Sequence, residues 1–116
     1  MQRRAHYGGL GSDGAIVAPY NPFNTLEWAV AGTTISGSKG WSEDQTVSRE
    51  VALQAHTINN AKLLFMEAHL GSLEVGKQAD IVVLDQDYLA VEPEDISEIK
   101  PLLTMTAGQI VFDDLN

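Results

Sequence analysis

The spacing of apolar residues changes at Gly71, and this change limits the folds that the chain can adopt. Before Gly71, apolar residues recur at helical spacing at Val51, Ala52, Ala55 and Ile58. After Gly71, β-branched residues gather in short runs that are typical of strands. Because helices come first and strands second, the sequence predicts a mixed α/β fold.

Three short helices are predicted before the strands. Asn24 is the expected N-cap of the first helix, and Gly32 is expected to end it. Ser48 is the expected N-cap of the second. Asn59 or Asn60 is expected to end the second helix and to cap the third. The apolar residues assigned to the core face of the first and third helices are Leu26, Ala29, Val30, Ala61, Leu64 and Phe65.

Strands are predicted in the last part of the chain. They are residues 73–75, 81–84, 102–106 and 109–112. The run 81–84 is rich in β-branched residues and is expected to be buried on both faces. Ala107 and Gly108 separate the last two strands by the spacing of a hairpin turn. One helical turn is expected at 93–99, and Pro93 at its start is suited to the first position of a helix.

Composition narrows the classes of partner. The 116-residue chain has the length of one small domain, and 44% of it is hydrophobic, enough for a core without metal or disulfide support. A formal net charge of -9 opposes binding to nucleic acid or to an anionic membrane surface, so neither partner is expected. Because the chain has no cysteine, any metal ligand must be His, Asp or Glu.

The cellular location of the protein is also predicted from the pattern of apolar residues. No apolar run reaches the length of a membrane span, and the opening MQRRAHYGGLG has no apolar segment behind its basic residues. A cytoplasmic protein is therefore expected.

Gly9, Gly11 and Gly14 match the spacing of a dinucleotide-binding motif. That motif requires a buried strand before it and a helix after it. The preceding MQRRAHY is too polar for a central strand, and Pro19 and Pro22 interrupt the segment in which the helix would run. A dinucleotide site is not expected.

Three aspartates near the first long strand invite a calcium-binding interpretation. Asp80, Asp85 and Asp87 are close together, but the glycine and the closing glutamate of a calcium loop are missing at the required spacing. These carboxylates are expected to be solvated groups at the end of a strand.

The three histidines are His6, His56 and His69. None of them forms the close pairs that place two imidazoles on one metal. His56 is expected to be a surface or satisfied interior residue of a helix, and His69 is expected to be a cation at a helix C-terminus.

A resemblance to a known family covers most of the sequence. The segment GSLEVGKQADIVVLDQDYLAVEPEDISEIKPLLTMTAGQIVF closely resembles the C-terminal signature of the amidohydrolase superfamily, in the family-3 branch that includes N-substituted formamide deformylase-like enzymes. SREVALQAHTINNAKLLFMEAHLGSLEVGKQAD is similar to the helix pair before that signature, and GGLGSDGAIVAPYNPFNTLEWAV to the last barrel strand, its loop and its helix.

The resemblance implies a fragment of a larger fold. Residues 1–69 would form the last strand, loop and helices of a (β/α)8 metal-dependent hydrolase barrel, and residues 70–116 would form C-terminal strands of its accompanying small β-sandwich. Lys77 and Asp80 belong to the signature and would have a structural role in the sandwich.

The resemblance also implies one site residue. The family carries Gly-Ser-Asp at the end of the eighth barrel strand, and its aspartate sits on the metal and handles the proton of the attacking water. The matching residues are Gly11, Ser12 and Asp13, so Asp13 is the candidate catalytic residue and metal ligand. The motif by itself favours a turn in which Asp13 only supports the backbone, and the family context favours the ligand role instead.

The rest of the family's metal site is not in this sequence. The H-x-H pair of the first strand, the bridging lysine or acid of the fourth and the later histidines have no counterpart. His6 precedes Asp13 by seven residues, on the order of 23 Å along an extended strand, and is a poor substitute. Zn²⁺ or another divalent metal is therefore implied for full-length relatives, and none is expected in the isolated chain.

Two hypotheses follow. The chain is the C-terminal portion of a metal-dependent amidohydrolase acting on amide C–N bonds other than peptide bonds, inactive without the rest of the barrel; or it is a non-catalytic, self-associating α/β module derived from one. The opening MQRRAHY does not continue a barrel strand, which favours a gene-level remnant. A homodimer or higher oligomer is expected to cover four otherwise exposed apolar positions, which are Leu26, Val30, Val51 and Leu64.

Overall fold

The computed structural model of the chain describes residues 8–14, 19–40 and 42–116. The helices are α1 (Pro22–Ala31), α2 (Arg49–His56) and α3 (Ile58–Leu63), and there are short 3₁₀ helices at Glu43–Gln45 and Pro93–Glu98. The strands are β1 (Ile81–Leu84), β2 (Pro101–Thr106) and β3 (Gln109–Asp113). The predicted mixed α/β class is confirmed. In these described ranges no helix has the length and hydropathy that crossing a bilayer requires.

The N-cap of helix α1 lies three residues before the predicted one. The side chain of Asn21 accepts a hydrogen bond from the backbone N–H of Phe23 at 3.0 Å, so Asn21 is the N-cap and the prediction of Asn24 is wrong. Pro22 explains the shift, because its fixed φ and missing N–H suit the first position of a helix. Gly32 ends the helix with a left-handed φ of 71°, as predicted.

Helices α2 and α3 meet at a sharp corner. The side chain of Ser48 accepts a hydrogen bond from the N–H of Val51 at 3.3 Å, which confirms Ser48 as the cap of α2. Thr57 breaks the helical path with a ψ of -96°. The prediction that Asn59 or Asn60 makes this break is wrong, and both side-chain amides are left free to bind another segment.

The end of α3 points apolar side chains into solvent. The N–H of Met66 donates to the carbonyl of Ala61 at 2.8 Å, which closes the helix in the way that normally uses a left-handed glycine. Phe65 takes that position with a φ of 57°. Phe65 is 89% exposed and Leu64 is 68% exposed, so the prediction that they face the core is wrong. The backbone reversal turns both away from the body of the protein.

Gly71 marks a close approach between the chain and α3. A Cβ atom at this position would lie 2.8 Å from the Cβ of Ala61 and 2.9 Å from the Cα of Ile58, and the φ of Gly71 is +92°. Only glycine fits both constraints without displacing backbone. The segment that follows is a turn, so the predicted strand at 73–75 is wrong.

The strands form one antiparallel sheet in the order β1-β2-β3. Ala107 and Gly108 connect β2 to β3 with φ values of 49° and 79°. Two consecutive positive φ values define the turn whose twist matches that of a hairpin. The predicted hairpin is therefore confirmed.

Strand β1 is an edge strand and is less buried than its sequence predicts. Val82 is 49% exposed and Val83 is 39% exposed. The described helices pack on the 3₁₀ helix Pro93–Glu98 and on each other. Only Leu84 of this strand packs against the core cluster, and both valines reach solvent, so the prediction that residues 81–84 are buried on both faces is wrong.

The core lies between α1, α2 and the 3₁₀ helix Pro93–Glu98. Its buried members are Leu26, Ala52, Tyr88, Ile96 and Ile99. Leu26 is only 4% exposed and Val30 packs against this cluster, so the expectation that Leu26 and Val30 need cover from a second molecule is wrong. These core residues come from both sides of residue 70, and the division into 1–69 and 70–116 stays a prediction.

Arg49 and Tyr88 fasten α2 to the segment before the 3₁₀ helix. The Arg49 guanidinium donates to the carbonyl of Tyr88 at 2.6 Å and to the carbonyl of Val91. The Tyr88 hydroxyl donates to the carbonyl of Arg49 at 2.9 Å. Burial raises the pKa of Tyr88, so the phenol keeps the proton that it donates.

The core cluster predicts an unequal response of two isoleucines to the same truncation. Ile96 is fully buried, so Ile96→Ala should lower the free energy of unfolding by about 2–5 kcal/mol. Ile110 is more than half exposed on β3, and Ile110→Ala should change it by about 0.5 kcal/mol or less. Urea denaturation of both variants measures the difference, and equal losses would contradict the assignment of the core.

Candidate functional site

The Gly-Ser-Asp segment is a surface loop that presents Asp13 to solvent. Asp13 is exposed, and its φ of 54° lies in the left-handed region. Aspartate enters this region more readily than most residues, at a cost of about 1 kcal/mol. A carboxylate on such a loop is accessible to a metal ion or to water. The structure leaves both earlier interpretations of Asp13, a ligand or a turn former, chemically possible.

The backbone just before this loop is held by the corner between α2 and α3. The N–H of Leu10 donates to the carbonyl of Ala55 at 3.0 Å, and the carbonyl of Leu10 accepts from Asn60 Nδ2 at 3.0 Å. Asn59 Nδ2 donates to the carbonyl of Gly8 at 3.2 Å. Sequence reasoning missed these two amides as functional residues. The signal in the sequence is the pair of adjacent asparagines, which the sequence analysis assigns to a helix cap.

Gly9 passes directly against Asn60. A Cβ atom on Gly9 would lie 2.0 Å from Asn60 Oδ1 and 2.7 Å from a methyl carbon of Leu63. These distances are far below van der Waals contact, so any side chain here must push the loop or Asn60 away. The first glycine of the rejected dinucleotide motif is thus required for packing against α3.

A cavity of about 370 Å³ lies between the α2–α3 corner and residues 70–80. His56, Asn60, Leu64, Leu73 and Asp80 are among the residues that line it. The Nε2 atom of His56 is sealed from solvent and has no hydrogen-bond partner among the described residues. A sealed atom offers no bond to a ligand in the cavity. Burial lowers the pKa of His56, which favours the neutral ring.

A second cavity of about 380 Å³ lies beside α1 and includes Glu27 and Trp28. The Glu27 carboxylate accepts hydrogen bonds from the Thr33 hydroxyl at 3.0 Å and from the N–H of Ser97 at 2.8 Å. Both oxygens are used to connect α1 to neighbouring segments. Glu27 therefore acts as a structural carboxylate.

The aspartates at the sheet end bind backbone N–H groups. Asp80 accepts from the N–H of Ala107 at 2.8 Å, and Asp85 accepts from the N–H of Lys100 at 2.8 Å. Asp87 accepts from the N–H of the residue two positions later, at 2.9 Å. Asp80 and Asp85 thus connect segments that are distant in sequence, and Asp87 closes a local turn, so each carboxylate has a structural partner.

The Lys77 side chain makes one hydrogen bond and one ion pair within its own turn. Its ammonium group donates to the Ser72 hydroxyl at 2.7 Å and lies 2.9 Å from a carboxylate oxygen of Glu74. These contacts close the turn that contains Gly76. They agree with the structural role expected of Lys77.

The other two histidines do not complete a site around Asp13. His69 is exposed in a turn and its N–H donates to the carbonyl of Met66, so the expectation that it lies at a helix C-terminus is wrong. Helix α3 ends six residues earlier, at Leu63. His6 lies outside the described residues.

The described part of the chain does not fit a complete metal centre. Within residues 8–14, 19–40 and 42–116, no group of three or more His, Cys, Asp or Glu side chains could hold a metal ion. Asp13 can contribute one carboxylate, whereas catalytic zinc sites normally use about three protein ligands.

Comparison with known proteins decides the family. Residues 5–112 match the family model described as "Amidohydrolase family". The chain belongs to the amidohydrolase family. The match spans nearly the whole sequence, including the loop with Asp13 and the hairpin, and it confirms the family resemblance.

Three relatives illustrate the similarity. The chain is 36% identical to the protein LONG AFTER FAR-RED 3 of Arabidopsis thaliana, over 89% of this chain and 17% of that one. It is 31% identical to N-substituted formamide deformylase of Arthrobacter pascens, over 81% and 17%. It is 40% identical to 5-methylthioadenosine/S-adenosylhomocysteine deaminase of Thermoanaerobacter pseudethanolicus, over 67% and 17%. The chain thus spans about a sixth of the length of these relatives.

The environment of His56 predicts a pH dependence of stability. Because burial lowers the folded-state pKa below 6.5, the unfolded state binds the proton more readily. The free energy of unfolding should therefore fall as the pH drops through 6.5, and the loss should stop below the folded-state pKa.

Urea denaturation between pH about 7.5 and about 5 measures this effect. His56→Phe should flatten the profile, and the same change at the exposed His69 should not. A stability that rises as the pH falls, and does so only when His56 is present, would contradict the account.

Proposed function

We propose that this chain is the C-terminal portion of a metal-dependent amidohydrolase that hydrolyses C–N bonds other than peptide bonds in small amide substrates. The family match supports this assignment. The names of two relatives support it too, since a deformylase of N-substituted formamides and a deaminase both cleave C–N bonds.

The observation that carries the proposal is the exposure of the Asp13 carboxylate and the placement of its backbone. Asp13 is an exposed carboxylate in a left-handed turn, three residues after a backbone position fixed by two helices. In the proposed reaction Asp13 would be one metal ligand, would accept a proton from the attacking water and would return it to the leaving nitrogen. The metal, when bound, supplies a water of lowered pKa.

The proposal includes a place for the chain in a barrel. Residues 1–69 would supply the last strand with its loop and helices, and residues 70–116 would supply strands of a neighbouring small β-sandwich. Catalytic residues of such barrels lie on loops at the carboxyl ends of strands, and the Asp13 loop would be one of these.

The isolated chain is proposed to be inactive. One carboxylate with no imidazole partner among the described residues binds a divalent transition metal weakly. The remaining ligands and the substrate-binding loops would come from polypeptide beyond these residues.

The isolated 116-residue chain should therefore carry no stoichiometric zinc and should hydrolyse neither amide nor N-formyl substrates. Elemental analysis of protein purified without chelator, together with an assay for released amine or ammonia, measures both properties. Asp13→Ala is the matched control, and it should behave like the wild type in both measurements. One tightly held zinc ion per chain, with hydrolysis that disappears in Asp13→Ala, would contradict the inactive assignment.

A second candidate function is a non-catalytic module that associates with itself. The observation that favours it is the exposed end of α3, where Leu64 and Phe65 lie in solvent. Strand β3 also leaves Ile110, Val111 and Phe112 exposed. Neighbouring apolar residues of this kind mark interaction surfaces. A homodimer or higher oligomer would bury them.

This second candidate predicts a defined oligomer. Sedimentation at micromolar concentration should give a multiple of 12.6 kDa, and Leu64→Ser with Phe65→Ser should shift it toward the monomer. Tyr20→Ser is the control, since Tyr20 is also highly exposed but precedes α1 and belongs to neither α3 nor β3. A monomeric wild-type chain would remove this candidate.

A further inference from the structure

We propose that Asn60 is a positioning residue for Asp13 and acts through the backbone of Leu10. This inference rests on the proposed function of Asp13. It assigns to the corner between α2 and α3 the task of fixing where the Asp13 carboxylate stands.

The first step of the argument is that Leu10 is held from two directions. Its N–H donates to the carbonyl of Ala55 in α2, and its carbonyl accepts from Asn60 in α3, each at 3.0 Å. A residue whose N–H and carbonyl are bonded to two different helices has little freedom to rotate or to translate. Leu10 is also half-buried, which shields these bonds from competing water.

The second step is that, within the described part of the chain, Leu10 is the last residue before Asp13 that a hydrogen bond holds. Among the described residues, none exchanges a hydrogen bond with Gly11, Ser12 or Asp13. Three residues of chain span at most about 10 Å, so the position of Leu10 limits where Asp13 can lie. In a catalytic site, an error of about 1 Å can lower the rate on the order of 100-fold.

The third step separates Asn60 from its neighbour. Asn60 bonds the residue nearest to the loop and lies against Gly9, where an added Cβ would approach its Oδ1 to 2.0 Å. Asn59 bonds only Gly8, two residues further from Asp13, through an exposed and longer contact of 3.2 Å. Asn60 is therefore the amide whose donor matters for the position of Asp13.

The test uses Asn60→Asp, which keeps the shape of the side chain and removes the donor. In the full 116-residue chain, the amide hydrogen exchange of Leu10 should accelerate about tenfold, and the backbone of Ser12 and Asp13 should become more mobile by ¹⁵N relaxation. The amides of the β2–β3 hairpin should keep their wild-type exchange, which shows that the fold is retained. Gly9→Ala should give the same result with Asn60 intact.

A matched control isolates the geometry from the added charge. Gln54→Glu makes the same amide-to-carboxylate change on the exposed side of α2 and should leave the exchange of Leu10 unchanged. If Asn60→Asp also leaves the exchange of Leu10 and the mobility of Asp13 unchanged, the positioning role is overturned.

A second readout connects position to chemistry. A chimera carries this chain in place of the matching segment of the Arthrobacter pascens deformylase. In it, Asn60→Asp should lower kcat on the order of 10- to 100-fold and change KM by less than about threefold. An unchanged kcat in Asn60→Asp with a large loss in Asp13→Asn would overturn the positioning role alone. An unchanged kcat in Asp13→Asn would overturn the proposed function, and the positioning role with it.

Discussion

Helix α2 is the element on which the rest of the structure depends, and its first residue shows why. The Arg49 guanidinium satisfies the carbonyls of Tyr88 and Val91, and the Tyr88 hydroxyl returns a hydrogen bond to α2. Ala52, in the middle of the helix, has no exposed surface and allows the core to close around it. The last turn then offers the carbonyl of Ala55 to the loop that carries Asp13. One eight-residue helix thus connects the core to the candidate site.

This arrangement places a surface loop on a rigid support. Loops carry function when a stable scaffold fixes their ends, and here the fixed end is Leu10. The hydrogen bonds that hold the loop use backbone groups and neutral amides. The Asp13 carboxylate forms no ion pair with any of the described residues. A ligand role and a proton-transfer role both require a carboxylate that is available in this way.

Local chemistry was sufficient to predict several elements. The cap at Ser48, the helix end at Gly32 and the hairpin at Ala107 and Gly108 each depend on residues within a few positions of one another. The predictions that failed depended on distant contacts. Residues 81–84 have the composition of a doubly buried strand but lie at a sheet edge, and Leu64 and Phe65 follow a helical pattern that the chain leaves at α3's end.

The candidate site was predicted unevenly for the same reason. Asp13 was found because its motif is contiguous in sequence and resembles that of a known family. Asn60 donates a hydrogen bond to a residue 50 positions earlier, and no local sequence pattern predicts a hydrogen bond over that separation. The pair of asparagines is typical of a helix cap, but Thr57 makes the break and leaves the two amides to bind the loop.

The central claim is that Asp13 belongs to a metal centre completed by other parts of an amidohydrolase. Anomalous diffraction at the zinc edge, on crystals of the deformylase chimera that contains this chain, tests it directly. The account predicts a zinc ion with a carboxylate oxygen of Asp13 at a bonding distance of about 2.0–2.2 Å. A zinc ion bound elsewhere, with no oxygen of Asp13 in its coordination sphere, would contradict the account.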